Sequence, residues 1–348
     1  MNSRVIEGSY LRDLLAQPEV LQRVIASLAT RTPDPVLTSG LRDGRFRHVV
    51  LTGMGSSWHV LYPLHLQLSA AGFSSSWIEA SELLLGFAPL RATDTLIVMV
   101  SQSGESAEIV RLLEQRSEFG HVIGITNQPD SRLGRLAGTT LLLHAGAEAT
   151  VSCKTYLATL AVLHWLGSVL TGSGPLGALT EIDAATRGVA HYLEHWRSHV
   201  AALEPLVAGV HSVFVTGRSV SLATAGTGGL ILKESTRQPS EGMSCAAFRH
   251  GPLEMVSERV LVLVCAGDAR TAPLHQRLAE DIRQAGGRVG YLSSEPDNAE
   301  VFRLPEVAPS LLPLVEILPV QMLSLAIAAR DGREAGRFEH ATKITTAE

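Results

Sequence analysis

Little in this sequence invites cross-linked or charge-driven chemistry. Only three cysteines occur among 348 residues, Cys153, Cys245 and Cys265, at wide spacing and with no CxxC pair. An odd, scattered set argues against a disulfide framework or a thiolate zinc site and leads us to expect reduced thiols in a cytoplasmic protein. Charged residues make up 18%, and 29 basic against 34 acidic side chains leave a net charge of -5. There is no basic surplus to hold nucleic acid or an anionic membrane, so neither is an expected partner. A phosphate ligand would have to be met by local dipoles and hydroxyls. The first residues lack the apolar core of a signal peptide. The most apolar tract, Leu311 to Ala329, is broken by Pro313, Glu316 and Pro319 and reads as a core helix, not a membrane span. The histidines are read as lacking ligand spacing, so no metal is expected, and no cofactor.

What is present is a large apolar fraction, 45%, in a chain long enough for two domains. Leu11, Leu14, Leu15, Val20, Leu21, Val24 and Ile25 recur at helical spacing over residues 9–30. Beyond them, short apolar runs alternate with amphipathic stretches. The runs at 48–53, 96–100 and 122–126 read as buried strands, with helices expected over 58–70 and 107–114. Continuous apolar strands alternating with helices predict a parallel sheet covered on both faces. The second half repeats the plan at 212–217, 259–264 and 286–292. Gly53 to Ser101 and Gly217 to Cys265 are both 48 residues (101 − 53 and 265 − 217). The expected fold is therefore α/β, with two tandem doubly wound, flavodoxin-like lobes. Expected boundaries are a helical segment at 1–40, a first lobe at 41–172, a helical linker at 173–206 and a second lobe at 207–348.

The repeat is degenerate at one place. After its strand the first lobe continues Ser101-Gln102-Ser103-Gly104-Glu105-Ser106, whereas the second offers Cys265-Ala266-Gly267-Asp268. Hydroxyls and a glycine between a buried strand and a helix start can present several donors to a phosphate. Serine is also an ordinary helix cap, but four clustered donors exceed what capping needs. The turn Gly53-Met54-Gly55-Ser56-Ser57 is half of a dinucleotide fingerprint without its acidic partner, and reads as a second wall of the same site.

Three segments together resemble the double sugar-isomerase-domain family: Gly55-Ser56-Ser57, Ser101 to Ser106, and Arg249-His250-Gly251-Pro252-Leu253. Within that family the isomerase half of glucosamine-6-phosphate synthase is similar over nearly the whole chain. The resemblance implies that Ser101, Gln102, Ser103 and Ser106 bind a sugar phosphate, with Gly55, Ser56 and Ser57 beside the sugar and Ser152 entering from the loop before the inter-lobe helix. It implies that Glu234 moves the proton between neighbouring carbons, that His250, 16 residues later (250 − 234), opens the ring, and that Lys343 reaches the open sugar. It also implies a homodimer with shared sites, His250 coming from the partner.

These residue types suit the chemistry. An imidazole titrates near neutrality and can both give and take the ring-opening proton. A carboxylate beside the carbon pair suits proton shuttling, and an amine can stabilise an oxyanion or form a Schiff base. Read singly, each has a plainer explanation: Glu234 as an ion-pair partner of Arg237, His250 as a turn residue, Lys343 as tail. Glu241 reads as supporting, His59 and His65 as packing, and Gly226, Gly228 and Gly229 as a close helix contact.

Two departures bear on activity. No nucleophilic cysteine precedes Cys153 and residue 2 is Asn2, so glutamine-driven amination is not expected. Ile231 stands where the synthase has a lysine, three residues before its glutamate. The expectation is an aminohexose 6-phosphate deaminase and isomerase. A fructosamine-phosphate deglycase, a simple aldose–ketose isomerase and a sugar-phosphate sensor are the alternatives.

Overall fold

The computed structural model describes residues 6–340 and 342–343. It holds two parallel sheets. The first contains β1 (His48–Gly53), β2 (Ser75–Glu79), β3 (Thr95–Val100), β4 (His121–Thr126) and β5 (Thr139–Leu142) in the order β2-β1-β3-β4-β5. The second contains β6 (Ser212–Gly217), β7 (Ser240–Ser244), β8 (Val260–Cys265) and β9 (Arg288–Leu292) in the order β7-β6-β8-β9. Every residue of β3 and of β8 is buried, so helices cover both faces of each sheet. On one face of the first sheet Val50, Ile97, Met99 and Val122 pack against Ile109, Leu112 and Leu83. Burying each of these side chains contributes about 1.5–3 kcal/mol.

The doubly wound expectation is met, with additions. β2, β5 and β7 carry serine and threonine where an apolar run would have announced a strand. β2 and β7 are half-buried edge strands, paired on one side only. The repeat is also one residue out of step. Register pairs Thr52 with Met99 but Thr216 with Val264, offsets of 47 (99 − 52) and 48 (264 − 216). The counterpart of Ser101 is therefore Ala266, not Cys265. The backbone agrees: Ser101 N–H donates to the Ile125 carbonyl, and Ala266 N–H to the Leu292 carbonyl.

The chain divides into two compact units that differ from the expected boundaries. Residues 19–148, 154–183 and 342–343 make the first; residues 6–18, 149–153 and 184–340 make the second. Residues near the N-terminus join the second lobe because they pack on its long helix Leu312–Arg330. The Tyr10 hydroxyl lies 3.2 Å from Ser324 Oγ, and the Gln17 and Gln321 amides exchange hydrogen bonds of 3.0 and 2.9 Å. A segment that includes this helix is long and apolar enough to cross a membrane, but 94% of its apolar window is buried inside the protein. The expected close helix contact is also present. A Cβ on Gly229 would stand 2.5 Å from the Gly242 nitrogen, so the helix Leu222–Thr236 meets β7 through glycine against glycine.

Candidate active site

In the first lobe the sheet order reverses between β1 and β3, and an open α/β sheet binds ligands beyond the strand ends at such a point. The turns leaving these two strands carry Gly55-Ser56-Ser57 and Ser101 to Ser106. The two turns start side by side: a Cβ on Gly53 would lie 3.0 Å from the Val100 carbonyl oxygen.

The cradle is internally braced. Ser101 Oγ lies 2.7 Å from Ser106 Oγ and accepts from the Gly104 N–H at 3.1 Å. Ser103 Oγ accepts from the Glu105 N–H at 3.2 Å. Ser106 stands at the N-cap of the helix Ala107–Glu114, yet its side chain makes no capping bond, so its hydroxyl stays in the cradle. Gly104 has φ 66°, and a Cβ there would fall 2.0 Å from Ser131 Oγ; no other residue fits this turn. Glu105 points outward and clamps the loop, accepting from the Arg132 N–H at 2.7 Å with the Arg132 guanidinium at 3.5 Å. The Gln102 carbonyl accepts from the Asn127 N–H at 3.0 Å. On the other turn, Ser56 Oγ is buried without a hydrogen-bond partner. An unsatisfied buried hydroxyl is costly, and a ligand oxygen would relieve it.

Lys343 joins this lobe. Its ammonium lies 2.7 Å from Glu148 Oε2, and the Glu148 side chain is fully buried. Glu148 is itself oriented by the Thr155 N–H at 3.0 Å and the Thr155 hydroxyl at 2.7 Å. Lys343 is thus an anchored side chain, and Glu148 is a partner that the sequence did not single out. Its signal was an acidic residue opening the loop that already held Ser152.

Glu234, His250 and Ser152 belong to the second unit. Glu234 is half-buried in the last turn of the helix Leu222–Thr236, which the left-handed residue Arg237 terminates. Arg237 is ion-paired to Glu339. Ile231 is fully buried, so the position of the synthase lysine is here part of the core. His250 is exposed in the turn after the helix Cys245–Arg249. Ser152 is half-buried in the bend before the helix Lys154–Thr171. Glu241 is exposed and bonded to Lys233 at 3.2 Å. The three cysteines are free and buried.

A family profile described as the SIS domain matches residues 45–168, the stretch that contains both turns of the cradle. This stretch is a SIS domain. Over 97% of its length it is 30% identical to the glutamine–fructose-6-phosphate aminotransferase (isomerizing) of Thermus thermophilus, covering 58% of that protein. The chain therefore spans less than two thirds of this relative. Its fold matches the C-terminal domain of glucosamine-fructose-6-phosphate aminotransferase from Francisella tularensis with a TM-score of 0.82, at 21% identity, covering 96% of this chain and 99% of the other. It also matches glucosamine-6-phosphate deaminase from Thermotoga maritima with a TM-score of 0.79, at 17% identity, covering 97% and 99%. The SIS-domain match accounts for the first lobe, and the structural matches extend the tandem-lobe fold to the whole chain.

One sequence expectation needs correction. The histidines do show ligand spacing: His191, His195 and His199 follow one another every four residues, with Glu194 between the first two. The ligand atoms of His191, Glu194 and His195 lie within 4.8 Å of one another.

Proposed function

We propose that this protein is a phosphosugar isomerase that acts on an aminohexose 6-phosphate and releases ammonia to leave the ketose phosphate. The observation that carries the reading is the braced hydroxyl cradle at the β1–β3 switch point, with the buried Ser56 hydroxyl left for a ligand. In a chain of net charge -5, donors of this kind are how a phosphate is held.

In this reading the cradle holds the phosphate, and His250 moves a proton from the anomeric hydroxyl to the ring oxygen to open the sugar. Glu234 removes the C2 proton and returns it to C1, turning the open aldehyde amine into a ketimine through an enolamine. Water adds at C2, ammonia leaves, and the ketone remains. Lys343, held by Glu148, faces the developing oxyanion. The exposure of His250 favours a homodimer in which each copy completes the other's site. With Ile231 in the core, proton delivery to the departing amine falls to Glu234 or water.

The test is incubation with glucosamine 6-phosphate while ammonia and fructose 6-phosphate are followed, with Glu234→Gln as control. Equal release of both products, lost in the variant, supports the reading. Saturable binding without turnover removes it and leaves the sensor. Turnover of a fructosamine phosphate alone makes the protein a deglycase.

A further inference from the structure

The helix Pro175–Glu194 gives way to the helix Trp196–Val207 at His195. Around this break the sequence reads His191-Tyr192-Leu193-Glu194-His195, with His199 one turn on. His191 Nδ1 lies 3.6 Å from Glu194 Oε2, and the His191 and His195 rings stand edge to face at 5.4 Å. Two ligands each about 2.1 Å from a tetrahedral ion stand about 3.4 Å apart. The first pair already has that spacing, and His195, being exposed, can close on it by side-chain rotation.

A second observation separates this cluster from an ordinary solvated helix face. His191 and His195 border a cleft of about 270 Å³ whose walls also include His199, Glu300 and Arg303. His199 is only 3% exposed, and its Nε2 has no hydrogen-bond partner. Its ring stacks on Tyr192 at 4.2 Å, and the Tyr192 hydroxyl donates to the Val301 carbonyl at 2.7 Å, so the imidazole is held at the cleft wall. A buried nitrogen of this kind needs a partner.

We propose that His191, Glu194 and His195 bind a divalent transition-metal ion of the zinc class. Its open coordination position faces the cleft, where His199 Nε2 accepts a hydrogen bond from metal-bound water. Two imidazoles and a carboxylate suit zinc, nickel or copper, and not magnesium or calcium. None of these residues takes part in the proposed sugar chemistry, so the two readings fail separately.

The experiment is calorimetric titration of the tag-free, EDTA-treated full chain with zinc chloride, paired with cobalt chloride absorption spectra. One ion per chain, and cobalt bands without thiolate charge transfer, are expected. His191→Ala and His195→Ala should each weaken binding by about 10–100-fold, Glu194→Gln by about 10-fold, and the distant His211→Gln not at all. The substituted side chains are exposed, and an unchanged thermal melt of each metal-free variant verifies its fold. Absence of saturable zinc binding below millimolar concentration overturns the proposal. So does binding that survives the His191→Ala/His195→Ala double substitution.

Discussion

Beyond β3 the chain continues with Ser101 to Ser106; beyond β8, its counterpart, it continues with Ala266, Gly267 and Asp268. Both sheets reverse order beside this strand, and in the second lobe a cavity of about 350 Å³ lies beyond the ends of β8 and β9. Its lining is of the wrong sign for phosphate. Glu295, Glu306 and Glu316 stand on its walls, and the neighbouring Asp268 carboxyl is held below the usual range by hydrogen bonds from Arg270. Glu316 is fully buried; desolvation raises its pKa to about 7 against the opposing hydrogen bonds of Ser221 and Thr224. The two lobes thus share a strand order, while the residues that follow β3 and β8 differ in what they offer an anion. Glu234 and His250, which the proposed function draws from this lobe, stand on a helix and in a turn that do not line that cavity.

The proposed contrast between a binding lobe and an acid–base lobe is tested most strongly by Glu234→Gln. It should lower kcat by about 10³-fold with little change in KM, the usual scale for losing a general base. A rise in KM alone would place Glu234 among the binding groups. The opposite pattern is expected in the first lobe. Ser101→Ala removes a hydroxyl from a dianion and should raise KM by about 10–100-fold, while its counterpart Ala266→Ser should leave KM unchanged. If the two changes behave alike, the lobes are not divided as described.

Glu316 tests the second crevice through stability. Its folded pKa, about 7, lies above the ordinary 4.5. Its contribution is therefore complete below about 4.5, declines as pH rises through this window, and is gone above about 7. Glu316→Gln should flatten that pH dependence and stabilise the protein at pH 8 by about 3 kcal/mol, read from denaturant midpoints at pH 5 and pH 8. An unchanged slope would show that the carboxylate ionises without cost.

Mixing Glu234→Gln with His250→Ala protein after reversible dissociation tests the proposed sharing. If each site draws on both copies, about a quarter of wild-type activity should return; no recovery means that sites are built within one chain. The smallest effect belongs to the exposed Lys233–Glu241 pair, where Lys233→Met should cost less than about 0.5 kcal/mol in a thermal melt.

The apolar runs of β1, β3, β4, β6 and β8 identified the parallel sheets from sequence, because a strand buried on both faces must be apolar throughout. The serine cluster was legible because its hydroxyls and Gly104 are neighbours in the chain and bond to one another, although Asn127, Ser131 and Arg132 also hold the loop. The edge strands β2 and β7 were not legible, since a half-buried edge tolerates serine and leaves no periodic signal. Nor was the one-residue shift that matches Ser101 with Ala266, because register depends on hydrogen bonds between strands. The chain by itself determined the α/β class, the duplication and the cradle, all written in neighbouring residues. Only tertiary structure brought Lys343 to Glu148, 195 positions away, and buried Glu316 beneath two hydroxyls. Those pairings arise from packing between distant segments, which no local pattern encodes.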